Sequence, residues 1–339
     1  MNDAKPNEPA APVTAESAPP QAARRRLLSG ALGNVAGLLV ALLLMCALFG
    51  SLSKYFFSAD TFITIANDIP AIAVTAVGMT FVLIIAGIDL SVGSVMALSA
   101  AFAGIAMLQW HWTLLPATGV AMLVGLVAGA MNGLISVTWR LPSFIVTLGM
   151  LEIARGGAYI ATNSRTQYIG GAIEWLSKPI LAGLSPAFAI AMAIIVIGQV
   201  VLTRTVFGRC MIGIGTNEEA MRLAGVDPRP IKIAVFAIAG LLAGLGGVFQ
   251  ASRLEAADPN AGIGAELVVI AAVVIGGTSL MGGRGSVINT FFGVLVISVL
   301  EAGLAQIGAS EPTKRIITGC VIIVAVILDM IRQRRARAA

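Results

Sequence analysis

The chain has a single histidine, His111, three isolated cysteines, Cys46, Cys210 and Cys320, and only 12% charged residues. Each scarcity removes a class of function. With one histidine there is no His-Glu-x-x-His pair, and no Gly-x-Ser-x-Gly elbow occurs, so metal-dependent or triad hydrolysis has no framework. No Cys-x-x-Cys pair exists, so the cysteines read as small apolar fillers rather than metal ligands or a disulfide frame. No Gly-Lys pair occurs, so a phosphate-binding loop is missing and the chain cannot hydrolyse nucleotide by that route. His111 lies between Trp110 and Trp112, as expected of a polar residue in an interfacial aromatic belt.

What is present is apolar. Hydrophobic residues make up 58% of the 339, and mean hydropathy is +0.93. The long Leu/Ile/Val/Ala/Gly runs lack the dyad alternation of a closed barrel, leaving an all-α polytopic transmembrane bundle. Spans are expected at 30–51, 62–86, 92–109, 114–136, 143–162, 186–203, 233–252, 265–279, 286–305 and 315–331, about ten in all. Residues 1–26 read as a disordered cytoplasmic tail, 27–331 as the membrane domain and 332–339 as a basic cytoplasmic tail. Arg24 to Arg26, Arg140, Arg204, Arg209, Arg222, Arg229, Lys232, Arg284 and the C-terminal arginines then share one side. Lys54, Arg165, Lys178, Arg253, Lys314 and Arg315 fall on the other, so the positive-inside rule gives both termini inside. The net charge of +5 is accounted for by these flanks and needs no nucleic acid.

The densest internal charge lies between Phe207 and Lys232. Thr216, Asn217, Glu218 and Glu219 read as a capping box opening a short helix, with Ala220, Leu223 and Ala224 on one apolar stripe and Gly225 as its left-handed cap. So short a helix needs a surface to press on, whether its own membrane domain, a separate protein, or the interface of an amphipathic linker.

Glycines at small-xxx-small spacing, Gly125, Gly129 and Gly133 in one span and Gly240 and Gly244 in another, predict close helix packing. Two glycine-bracketed interruptions stand out, Gly87 to Gly93 and Gly276 to Gly285. Gly87, Leu90 and Gly93 overlay Gly277, Leu280 and Gly283 at one offset, as an internal repeat would. In the first, Asp89 either caps the following helix or, with Ser91, meets solute. Glu152 and Arg155, three apart on one helix, either neutralise each other or serve a pathway, to which Asn67 and Asp68 are further candidates. Glu301 in the ninth span and Glu266 at the start of the eighth are further ionisable candidates.

Four stretches carry a resemblance. Residues 76–98 (AVGMTFVLIIAGIDLSVGSVMAL), LPSFIVTLGML with Arg155-Gly156, GTNEEAMRLAGV, and ELVVIAAVVIGGTSLMGGRGSV resemble, in collinear order over about residues 55–331, the ribose-type permeases of bacterial ABC importers. The resemblance implies a type II importer-like permease in the inner membrane, paired with a second copy or a paralogue. It also implies a periplasmic binding protein that delivers a pentose or hexose and a separate cytoplasmic ATPase that supplies ATP and Mg chemistry, this chain holding no cofactor. Asn217, Glu218, Glu219, Ala220, Arg222, Leu223 and Gly225 match the family's loop and would form a coupling helix seated on the ATPase. The rival readings are an ion-gradient-driven transporter titrating Asp89 or the Glu152/Arg155 pair, and an intramembrane enzyme, for which no nucleophile and base are in evidence.

Overall fold

A computed structural model describes residues 20–180 and 182–338. Among the described residues thirteen helices account for nearly all of the regular structure: α1 (Pro20–Leu52), α2 (Ala59–Ile84), α3 (Val92–Leu108), α4 (Leu114–Thr138), α5 (Ser143–Thr162), α6 (Gly171–Glu174), α7 (Pro186–Arg204), α8 (Val206–Thr216), α9 (Glu218–Leu223), α10 (Pro228–Leu254), α11 (Ala265–Ile275), α12 (Val287–Gln306) and α13 (Glu311–Ala338). A two-residue antiparallel pair joins β1 (Gln167–Tyr168) to β2 (Ala256–Ala257), with Gln167 opposite Ala257. Residues 1–19, most of the expected tail, lie outside the described residues.

Local signals explain where the helices begin. Ser58 caps α2 by accepting from Thr61 N, Ser185 caps α7 ahead of Pro186, and Asp227 caps α10 ahead of Pro228. Proline suits these first turns because its missing N–H would have had no partner there. Asn163 and Glu255, both left-handed, end α5 and α10.

All ten expected spans fall on helices, and six of these, α2, α4, α5, α7, α10 and α12, are long and apolar enough to cross a membrane. Among the rest, α3 and α11 are shorter, at 17 and 11 residues, or roughly 25 and 16 Å at 1.5 Å per residue. The span expected over 265–279 stops at Ile275 because Gly276 and Gly277 take the chain out of the helix. Helix α8 was not foreseen: its apolar residues are interleaved with Gly208, Gly213 and Gly215, which depress helix propensity.

Helix α2 lies deepest, with 83% of its most apolar window buried, against 22% for α5 and 28% for α7. Helix α10 packs beside it and against α3 and α4. The two glycine stripes face one another. A methyl on Gly129 would stand 3.0 Å from Gly240 Cα, and one on Gly244 only 2.5 Å from Ala121 O, so α4 and α10 touch backbone to backbone. Such closeness maximises dispersion contact where no hydrophobic drive operates between helices.

The repeat suggested by Gly87 and Gly277 is not the one the fold displays. A long helix, a non-helical stretch, a short helix and a long helix occur in order twice: α2, residues 85–91, α3 and α4, then α10, residues 255–264, α11 and α12. Residues 257–262 run along α3 from Gly104, whose added methyl would be 3.0 Å from Ala257 Cβ, to Gly93. There the N-terminal ends of α3 and α11 meet: a methyl on Gly262 would stand 2.6 Å from Gly93 O, and one on Gly93 would overlap Gly262 O and the Glu266 carboxylate.

Candidate functional site

Helix α9 is preorganised at both ends. Asn217, extended at φ −160° and ψ 100°, accepts Ala220 N–H at 2.9 Å. Thr216, expected to be the cap, is instead the last residue of α8, and its hydroxyl donates back to Ile212 O at 2.8 Å. A residue still in helical conformation cannot supply the cap, so the role passes one position on. Glu219 does not close a capping box either; it pairs with Arg222 at 3.4 Å. Glu218 bonds Lys232 of α10 and approaches Arg222 at 3.6 Å. At the far end Gly225 (φ +83°) donates to Arg222 O and Val226 to Met221 O, both at 3.0 Å. This is the Schellman arrangement. Ala220, Leu223 and Ala224, the expected apolar stripe, are exposed, Leu223 by 83%, while Met221 turns inward against Gly213.

Behind α9, the end of α8 is wedged between both glycine-bracketed loops. Gly283 N–H donates to Ile84 O, the end of α2, at 2.8 Å. A methyl on Gly215 would overlap that carbonyl oxygen and stand 2.5 Å from Gly283 N. Gly282 and Gly283, at φ +84° and +75°, carry the loop between α11 and α12 under Ala86 and Thr216. Three backbones thus meet at Gly215, three residues before α9 begins.

The first interruption is a sealed polar knot. Asp89 and Ser91 are buried, 1% and 0% exposed. Asp89 Oδ1 accepts Ser91 N–H at 2.9 Å and the Ser91 hydroxyl at 2.6 Å, and Asn132 of α4 donates to Ser91 Oγ at 3.0 Å. From α5, Thr147 accepts Leu90 N–H at 3.1 Å and Ser143 accepts Ile88 N–H at 2.9 Å. Asp89 shapes the approach to α3 rather than capping it, since Ser91 is the cap residue and α3 has no side-chain cap bond.

The other sequence candidates are scattered. Asn67 bridges α2 to the start of α7, donating to Gly183 O and accepting Ser185 N–H, both at 2.9 Å. Asp68 pairs with Arg253 at 3.2 Å, both about half exposed. Glu152 and Arg155 do not pair. Glu152 is exposed, and Arg155 donates to Pro259 O and, at 3.0 Å, to Ala261 O. Pro259 O and Ala261 O, in the non-helical stretch 255–264, are both met by one guanidinium nitrogen, Nη1, whose two N–H groups satisfy them at once. Tyr159 adds a bond to Asn260 Oδ1 at 2.7 Å.

A cavity of about 500 Å³ opens beside the start of α11, walled by Ile72, Gln250, residues 263–265, Leu267, Val268 and Glu301, and by Glu311, Lys314, Arg315, Thr318 and Gly319 of α13. The Lys314 ammonium, 2.9 Å from Glu311, holds that carboxyl below its ordinary range. Glu301 signals itself in the sequence as an acid within an apolar run. Gln250, Lys314, Arg315 and Thr318 give no such signal, because a cation at a helix end reads as a topological flank.

The comparisons with known proteins agree with one another. A family model described as the permease component of a branched-chain amino acid transport system matches residues 61–326. The chain is 36% identical over 300 residues to the ribose import permease protein of Escherichia coli (strain K12), covering 87% of this chain and 93% of that protein. It is 35% identical over 272 residues to the L-arabinose ABC transporter permease protein of Azospirillum brasilense, covering 78% of each. To the fructose import permease protein of Rhizobium meliloti it is 34% identical over 305 residues, covering 86% and 84%. No solved structure matches the chain.

Proposed function

The chain belongs to the family of branched-chain amino acid and ribose-type permeases of ABC importers, and from that we propose how it works as the membrane subunit of a monosaccharide importer. It is a multi-pass inner-membrane protein. In the proposed arrangement about ten segments cross the bilayer with both termini inside, as a type II importer-like bundle, and two copies, or this chain and a paralogue, form the membrane core. A periplasmic binding protein delivers the sugar. A separate cytoplasmic ATPase binds ATP and Mg, so this chain is a moving part and not the catalyst.

The observation that carries the proposal is helix α9. Capped at both ends, tied to α10 through Glu218 and Lys232, and showing Ala220, Leu223 and Ala224 outward, it has the form of a helix built to fit another protein's groove. Asn217, Glu218, Glu219, Arg222 and Gly225 hold its shape, and Ala220 and Leu223 make the contact. ATP drawing two ATPase subunits together moves the two α9 helices, and the junction at Gly215 hands that movement to the interrupted helices. The work comes from ATP's differing affinity for the two states. For the solute path, Arg155 holds the stretch leading into α11, while Glu152 stays open to it. Asp68 and Asn67 set the geometry at the outer end of α2, and Asp89 and Ser91 keep the first interruption in shape.

Purification of the tagged chain from native membranes in mild detergent, with mass spectrometry of what accompanies it, tests this. A co-purifying soluble ATPase and a sugar-loaded binding protein are the expected result. A chain that comes alone from several detergents removes the role given to α9.

A further inference from the structure

The cavity beside α11 differs from the knots elsewhere in the fold: Glu311 pairs with Lys314 and Arg315, but the Glu301 carboxylate on the same wall is not taken up by them. Asp89, Ser91, Asn67 and Arg155 are each committed to internal hydrogen bonds. Glu301, on α12 within an apolar helix, forms no ion pair among the described residues and is exposed to the cavity. An ionisable group so placed is costly unless it serves a solute or a water-filled path.

We propose that this cavity is a subsite for an uncharged monosaccharide and that Glu301 sets its specificity by accepting hydrogen bonds from two adjacent sugar hydroxyls. This rests on the monosaccharide reading above and assigns its site. Three features of the walls argue for it. The volume, about 500 Å³, lies in the roughly 300–1,000 Å³ range of small-molecule pockets. The walls are two-sided: Ile72, Leu267 and Val268 present an apolar surface to a sugar's C–H face, and Glu301, Gln250 and Thr318 present polar groups to its hydroxyl edge. The charge is balanced as well, Glu301 and Glu311 standing against Lys314, hydrogen-bonded to Glu311 at 2.9 Å, and Arg315, 3.9 Å from it. Such a lining favours a neutral solute over a phosphorylated one. The two oxygens of a carboxylate accept in parallel from neighbouring donors, and charge-assisted bonds of this kind discriminate strongly.

The test uses the full chain assembled with its ATPase and binding protein, in a background carrying Cys46→Ala, Cys210→Ala and Cys320→Ala. Gly319→Cys places a thiol in the cavity wall, where an added Cβ meets nothing within 4 Å, and Leu115→Cys, on a residue 82% exposed elsewhere, is the control. The rate of alkylation by N-ethylmaleimide is measured with D-ribose, L-arabinose, D-fructose or L-leucine at millimolar concentration. One of the sugars slows labelling at position 319 severalfold and leaves position 115 unchanged. In parallel, Glu301→Gln raises the KM for that sugar by about tenfold or more, with ATP hydrolysis retained. Protection by leucine instead of a sugar, or no protection together with an unchanged KM, overturns the inference. If the unmodified assembly takes up sugar while those two results hold, only the assignment of the cavity falls. If it takes up no sugar at all, the monosaccharide reading falls with it.

Discussion

Replacing Gly215 by alanine puts a methyl group where three backbones already touch. The new carbon would overlap Ile84 O and lie 2.5 Å from Gly283 N, whereas ordinary contact begins near 3.4 Å. The end of α8 therefore has to retreat by ~0.9 Å or more on that side. Overpacking of this kind costs roughly 1–3 kcal/mol. Parting Gly283 N–H from Ile84 O, now 2.8 Å apart, adds about 1 kcal/mol, so the loss is on the order of 2–4 kcal/mol. Because the strain sits between α9 and both interrupted helices, uptake should suffer more than ATP hydrolysis. Gly213→Ala is the matched control: there the added methyl meets only the Met221 side chain, with Sδ at 2.5 Å, which can swing away at a cost of under about 1 kcal/mol. Thermal unfolding of the purified protein reads the strain, and sugar taken up per ATP hydrolysed, in proteoliposomes with the partner subunits, reads the coupling. Gly215→Ala should lose both stability and coupling, and Gly213→Ala neither. Equal behaviour of the two variants, or normal uptake by Gly215→Ala, would refute the relay.

Three further outcomes are expected. Asp89→Ala leaves the buried Ser91 N–H and hydroxyl without their acceptor and should destabilise by about 2–4 kcal/mol, whereas Asp89→Asn keeps an acceptor oxygen and should cost roughly half as much; thermal unfolding in detergent separates them. Leu223→Asp alters a side chain that is 83% exposed, so stability should stay within about 0.5 kcal/mol while the ATPase is lost from the purified assembly. Arg155→Ala removes both bonds that Nη1 donates, to Pro259 O and Ala261 O, and should loosen the stretch before α11 by about 2 kcal/mol, visible as faster hydrogen exchange over residues 258–264.

The parts of this fold most legible in sequence were those governed by one local rule. Apolar runs located all ten expected helical segments, and the glycine spacing in α4 and α10 anticipated close packing of each, though not that they pack on one another. The α9 region was nearly legible: Gly225 closes the helix as its sequence suggests, but the starting cap moved from Thr216 to Asn217 because α8, diluted by glycine, runs unexpectedly up to it. What stayed hidden depends on distant backbone. Arg155 abandons Glu152 because the non-helical stretch 255–264 offers it the carbonyls of Pro259 and Ala261, and nothing near position 155 announces that stretch. The repeat relating α2 through α4 to α10 through α12 lies in the order of long and short helices, and the overlay of Gly87 on Gly277 drew attention to a different register. The cavity draws on α2, α10, α11, α12 and α13, so its residues share no spacing to notice.

The central claim is that ATP, acting through a partner on α9, drives solute through this chain. The most direct test is uptake of D-ribose, L-arabinose and D-fructose into proteoliposomes holding the chain with its ATPase and binding protein, comparing a proton uncoupler at constant ATP with ATP withdrawal at a constant proton gradient. Uptake that survives the uncoupler and stops without ATP is the predicted result. Uptake that collapses with the uncoupler while ATP is held constant would contradict the account and return Asp89 to the role of a titrating transport group.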